Sequence, residues 1–273
     1  EDLYVESDGK RISLAGDWKY RIGLSLSGFP PAPVSPVQSS SYPTVLFNAM
    51  VKPWTAFPIK GVIWYQGEAN VGRSEQYGDL FPALITDWRR QWRSDFPFYF
   101  VQLANFMESK KIQPDSEWAA LREAQTKALK LDQVGMAVTI DIGLADDIHP
   151  KNKQEVGRRL ALVALAGSYG KNVSSSAPVF QNYIIKGNKM ELDFGQKQDG
   201  FQIKGTTLKG FTIAGPDRVF YPAEAMVHDG KIILSSTEVP APLAARYGWA
   251  DNPDCNLYGE NGLPVAPFRT DCW

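Results

Sequence analysis

Only two histidines occur in these 273 residues, and one of them, His149, ends the stretch Asp146-Asp147-Ile148-His149 just before Pro150. An aspartate three positions ahead of a histidine lets its carboxylate fold back within a tight turn and accept from Nδ1–H. Nε2 is then free to take a proton from a nucleophile. Asp146 has that spacing; Asp147, one residue closer, is the weaker candidate. The competing structural reading is that Asp147 or His149 caps a helix starting near Pro150. A lone D-x-x-H decides nothing by itself. A second group, Gln66-Gly67-Glu68-Ala69-Asn70, offers different chemistry. Gly67 lets a backbone approach closely, and the Gln66 and Asn70 amides can donate to a developing oxyanion. Its structural reading is that Glu68 and Asn70 cap the next helix.

Other polar groups carry less. Arg122, Glu123 and Gln125 sit near the start of a predicted helix, where they either line the same cleft or lie on an exposed face. His228, in "MVHDGK", reads as a solvated turn residue. Asp141, Asp146, Asp147 and His149 supply too few nitrogen or sulfur ligands for a zinc site, and no organic-cofactor motif is present.

These residues need elements to hold them. "KGVIWYQ" (60–66), "PFYFVQLA" (97–104) and "GMAVTIDIG" (135–143) are apolar runs of strand length, as buried parallel strands require. Between them, Tyr77, Leu80, Phe81, Leu84, Ile85, Trp88 and Trp92 recur at spacings of three and four, one face of a helix. "WAALREAQTKALKL" and "KQEVGRRLALVALAGSYG" are helical by the same period, and "TVLFNAMVKPW" is a short helix interrupted near Pro53. The order β-α-β-α-β-α predicts an α/β fold with a doubly wound parallel sheet, whose ligands bind outside the carboxyl ends of the strands. Both reactive stretches follow such strands. After about residue 176 short alternating runs divided by Gly-Asn, Lys-Gly and Asp-Gly turns predict a small antiparallel β unit. Residues 1–43, with the Pro/Ser-rich "GFPPAPVSPVQSSSYP", read as an irregular lead-in. The predicted organisation is therefore 1–43, 44–175 and 176–273.

Composition excludes several classes. With 29 Lys+Arg against 30 Asp+Glu there is no electrostatic footprint for nucleic acid or an anionic membrane. No apolar run reaches the roughly 18 residues of a membrane span. The first ten residues, acidic and polar, do not read as a secretory leader. Cys255 and Cys272 form no zinc or C-x-x-C motif, and a disulfide between them and two free thiols are both open readings.

Taken together, "IKGVIWYQGEANVGR", "DFPFYFVQLANF", "WAALREAQ", "GMAVTIDIG" and "DDIHPKNKQEVGRRLA" resemble the sialate O-acetylesterase family of SGNH-type hydrolases. The closing "YGWADNPDCNLYGENGLPVAPFRTD" is similar to the end of its bacterial members, so the likeness runs from about residue 44 to residue 273. The resemblance implies a three-layer, flavodoxin-like SGNH fold and a serine esterase acting on O-acetyl groups of sialic acid or related sugars, without cofactor. It implies His149 as base and Asp146 as orienting acid. Family members vary here, so Asp147 stays open. Gln66 with Gly67 matches the segment expected to face the oxyanion. Export to the periplasm or beyond is implied as well.

One block is missing. The family's nucleophile lies in a Gly-Gln-Ser-Asn segment, and neither it nor a G-x-S-x-G elbow occurs; "GSYG" has the wrong spacing. The expectation is a C-terminal part of the enzyme, with the serine supplied by an N-terminal part of the same protein. The alternative is a non-catalytic fragment or carbohydrate-binding remnant. Which acetylated glycan is attacked is not specified by the residues.

Overall fold

In the computed structural model, which describes residues 4–17, 19, 42–195 and 200–273, the chain divides into two units, Glu1–Val51 and Lys52–Trp273. The first contains an antiparallel hairpin, β1 (Tyr4–Ser7) with β2 (Lys10–Ser13), and a helical turn at Phe47–Val51. Residues 28–41 of the Pro/Ser-rich stretch lie outside the described residues.

The second unit opens with the three predicted strands in parallel. β3 (Val62–Trp64), β4 (Phe98–Val101) and β5 (Val134–Ala137) pair in that order. Val62, Phe98 and Val134 form one row across the sheet, and Trp64, Phe100 and Met136 another. β4 is central and buried throughout, which is why its run is apolar at every position. Alternate side chains of a strand point to opposite faces, and the packing follows that rule. Phe98 and Phe100, with Trp64, join Tyr77, Phe81 and Ile85 of α1 (Ser74–Trp92) and Trp118, Leu121 and Ala124 of α2 (Glu117–Thr126). Tyr99 and Val101, with Ala137, join Val156, Leu160 and Val163 of α3 (Lys153–Gly167).

Two details depart from the periodic reading. Leu80 is exposed, because the buried stripe of α1 runs through Tyr77, Phe81 and Ile85 and leaves it to one side. The helix predicted through Leu131 ends at Thr126 and tightens into a single turn over Lys127–Lys130.

Ten further strands follow: β6 (Asn182–Lys186), β7 (Lys189–Asp193), β8 (Phe201–Ile203), β9 (Phe211–Ala214), β10 (Phe220–Pro222), β11 (Glu224–His228), β12 (Lys231–Ser235), β13 (Ala244–Tyr247), β14 (Leu257–Gly259) and β15 (Phe268–Arg269). They form two four-stranded sheets, β11-β12-β7-β6 and β10-β9-β13-β15, and the pair β14-β8. Every pairing is antiparallel. Met190, Leu192, Ile232 and Leu234 from one large sheet share a core with Phe211, Ile213, Ala245 and Tyr247 from the other. Asp229 and Gly230 both have positive φ at the β11–β12 turn, as a two-residue hairpin loop requires. His228 is the last residue of β11, opposite Lys231, and is well exposed, so it is solvated as expected but precedes the turn instead of lying in it.

The change of pattern near residue 176 is a change of sheet type within one compact unit. Buried polar bonds tie the parts together. The Arg122 guanidinium donates to the carbonyls of Ala250 and Asp251 (2.8 and 2.6 Å), and Asn105 donates to Asn252 (2.7 Å). Cys255 and Cys272 are both free thiols. No helix among the described residues is long and apolar enough to cross a membrane.

Candidate active site

Because β3 and β5 are parallel, the segments leaving their carboxyl ends emerge on the same side of the sheet. They meet around a cavity of about 330 Å³ lined by Tyr65, Gln66, Glu68, Ala69, Ile148, His149, Pro150 and Lys153. The two stretches singled out by residue type are thus brought to one cleft.

The first wall is held from below. The Gln66 amide donates to Asn70 Oδ1 (2.6 Å), and its Oε1 accepts from the Tyr77 hydroxyl (3.2 Å). One N–H of that amide is left without a protein acceptor among the described residues. Gly67 has φ +157° and ψ −28°. A Cβ there would come within 3.0 Å of Gln125 Nε2 and 3.2 Å of Leu103 Cδ2, so only glycine lets the loop lie this close to its support. Asn70 does not cap α1 with its side chain: the residue at the cap is Arg73, and no side-chain cap bond forms.

The second wall is anchored at its base and free at its tip. Gly143 N–H donates to Asn105 Oδ1 (2.7 Å), and Leu144 bridges Phe106 in parallel fashion. A Cβ on Gly143 would overlap the Asn105 carbonyl. Asp141, at the start of the loop, receives a bidentate pair from Arg159 of α3 (2.6 and 2.9 Å). The tip then carries His149 outward, its side chain 86% exposed. His149 does not cap α3, because Asn152 does, accepting from Glu155 N–H at 3.2 Å. That removes the helix-cap reading of the motif.

The carboxylate beside His149 is Asp147. Its Oδ1 accepts the His149 backbone N–H (2.9 Å) and lies 3.7 Å from Nδ1. Asp146 is exposed, and its carboxylate has no hydrogen-bond or ion-pair partner among the described residues. The cause is local: an aspartate readily bonds the N–H two residues on, closing an Asx turn. That turn swings the Asp147 carboxylate toward the imidazole and leaves Asp146 outside.

Arg122, Glu123 and Gln125 do not line this cleft, which corrects the expectation for all three. Arg122 is fully buried and donates only to backbone carbonyls, those of Leu103, Ala104, Ala250 and Asp251. Burial lowers its pKa to about 9. Glu123 pairs with Arg269 (2.8 and 2.9 Å). Gln125 accepts from Leu103 N–H (2.9 Å) and donates to the Gln66 carbonyl (3.2 Å), so it is the floor of the Gln66 loop. A wider cavity of about 450 Å³, between residues 109–114 and β9, holds no histidine.

Two polar lining residues, Tyr65 and Lys153, were not foreseen. Tyr65 follows β3 directly; burial, aided by the Glu68 charge, pushes its phenol up to about 12, so it stays protonated. Lys153 places its ammonium 4.8 Å from the centre of that ring. Neither carries a motif; only adjacency to Gln66 and to His149 pointed there. No group of three or more His, Cys, Asp or Glu that could hold a metal occurs among the described residues.

Residues 35–166 match the family described as carbohydrate esterase, sialic acid-specific acetylesterase. The chain is 32% identical over 284 residues to the sialate O-acetylesterase of Pongo abelii, covering 92% of this chain and 54% of that one. To its counterpart from Rattus norvegicus it is 29% identical over 270 residues, 86% of this chain and 48% of that one. A solved carbohydrate acetylesterase from Xanthomonas citri superposes with a TM-score of 0.81 at 46% identity, over 85% of this chain and 55% of that one. The chain spans about half the length of the curated relatives it matches.

Proposed function

The chain belongs to the sialate O-acetylesterase family, and on that premise we propose that it removes O-acetyl groups from sialic acid or related sugars by a serine-type mechanism on a doubly wound SGNH scaffold. The observation that carries the reading is the convergence of the Gln66 loop and the His149 loop on one cavity, with Asp147 beside the imidazole.

In this reading His149 Nε2 takes the proton of a serine hydroxyl as its oxygen bonds to the acetyl carbon. The oxyanion accepts from backbone and Gln66 amide donors. The C–O bond to the sugar then breaks, and the sugar oxygen leaves with the proton returned by the imidazolium. Water repeats the sequence on the acyl-serine and releases acetate. Asp147 orients the imidazole and offsets its charge.

We place the serine on a segment outside these 273 residues, the N-terminal part of the same protein. No serine among the described residues lines the cavity. β3, the edge strand beside it, exposes Ile63 at 69%. A further strand along β3 would extend the sheet over that edge. Export to the periplasm or beyond belongs to the same proposal.

The empty nucleophile position also motivates the second reading, a carbohydrate-binding form without turnover. An acetyl-ester assay separates them. The 273-residue chain alone should show negligible turnover, and co-expression with the nucleophile segment should restore it. His149→Ala in that restored enzyme should then remove activity; retained activity would sink the base assignment.

A further inference from the structure

We propose that Lys153 forms an anion subsite of the His149 cleft and receives the carboxylate of an acidic sugar. The inference rests on the reading of the cleft as the sugar site and adds the group that would select a charged substrate over a neutral one.

Lys153 is the one ammonium among the eight residues lining the cavity. No carboxylate among the described residues lies within ion-pairing distance of it, whereas Arg158 and Arg159, about one and a half turns further along α3, are both paired with Glu155. Its contact is the ring of Tyr65, 4.8 Å from the nitrogen. A cation over an aromatic face keeps all its hydrogen-bonding capacity at the exposed side, so the ring steers the ammonium without satisfying it.

The position is costly for the helix itself. Lys153 is the first residue of α3, where a positive side chain adds to the positive end of the helix dipole and disfavours it. The two neighbouring charges define what the cleft accepts. Glu68, on the Gln66 loop, and His149 line the same cavity. A ligand with a carboxylate toward Lys153 and hydroxyl donors toward Glu68 satisfies both, whereas a neutral sugar leaves Lys153 unpaired. The same chemistry would hold any carboxylated sugar; the acetyl group needs only to reach His149.

Binding tests this on the 273-residue chain without any need for turnover. The probes are N-acetylneuraminic acid, its methyl ester and a neutral O-acetylated xylose. With two histidines in the chain, imidazole resonances report location, so a cleft ligand shifts those of His149 and leaves His228 unmoved. We expect the free acid to bind about tenfold more tightly than its methyl ester, the size of one charge-assisted contact. That gap should collapse in Lys153→Gln, persist in Lys153→Arg, and be unchanged in Lys151→Gln. Equal affinity for acid and ester, or a gap that survives Lys153→Gln, overturns the subsite. If the acetylated xylose still shifts His149 in that case, the cleft remains a sugar site and only the Lys153 assignment falls. If none of the probes shifts His149, both fall.

Discussion

Helix α2 takes polar side chains into two surroundings that could hardly differ more. Arg122 goes into the junction where the parallel sheet meets residues 250–252, and there it is wholly enclosed, with bonds to four carbonyls. Around it, Ser116 and Gln113 bond the Asp251 carboxylate (2.6 and 2.5 Å), and Trp118 Nε1 bonds the Ala104 carbonyl (2.7 Å). One turn on, Gln125 supports the cleft, where the groups above it are partly exposed and only partly used. Gln66 has a spare N–H, Lys153 lacks an acid, and the His149 ring stands in solvent. Burial of a polar group is tolerated when its bonding is complete. Near-complete bonding, with only Gln102 Oε1 left over beside Arg122, gives the junction the character of architecture, and the unspent capacity at the strand ends is what the proposed ligand would use.

The sharpest way to break that contrast is a pair of substitutions. In the enzyme restored with its nucleophile segment, His149→Ala should lower kcat/KM by about 10³–10⁴-fold and leave the melting temperature unchanged, because the ring touches nothing the fold needs. Arg122→Met should do the reverse. It strips donors from four buried carbonyls, a loss of about 3–5 kcal/mol in stability, read as a lowered denaturation midpoint. A stable Arg122→Met protein would mean that the junction is not the clamp described above.

A smaller effect separates the two aspartates. Asp147→Asn should cost on the order of 100-fold in kcat, with the melting temperature nearly constant. Asp146→Asn should stay within about twofold, since an exposed, unbonded side chain has little to lose. If Asp146→Asn proves the damaging one, the loop must rearrange when substrate binds.

These residues also show what a sequence discloses. The three parallel strands were legible as continuous apolar runs, which burial on both faces explains for β4 although β3 leaves Ile63 exposed, and the face of α1 because its period is that of a helix. His149 and Gln66 were legible because each follows a strand at its carboxyl end. The choice between Asp146 and Asp147 was not, because spacing suggests reach while a backbone N–H two residues away decides direction. Arg122 misled for a related reason. Its type suits a substrate cleft, but its partners lie nearly 130 positions away, at Ala250 and Asp251. Lys153 and Tyr65 were missed because a cavity wall has no sequence period.

The smallest predicted effect concerns acid and the first turn of α3. Glu155, in the first turn of α3, accepts from Arg158 (2.7 Å twice) and from Arg159 (2.8 Å). The Arg158 bond foremost, with Arg159 beside it, lowers its carboxyl from 4.5 to about 2. A carboxyl depressed in the folded state stabilises fully above its ordinary range, and that contribution disappears as pH falls toward the folded value. The window here is thus from about pH 4.5 down to 2. Arg158 is half exposed, so solvent screens the pair and the loss should be no more than about 1 kcal/mol. Arg159 also clamps Asp141 at the base of the His149 loop, so this region is where acid should first loosen the scaffold of the cleft. Melting temperature followed across that window should fall, and Glu155→Gln should flatten the fall. An unchanged fall in Glu155→Gln would mean that the loss of stability across that window comes from other carboxylates.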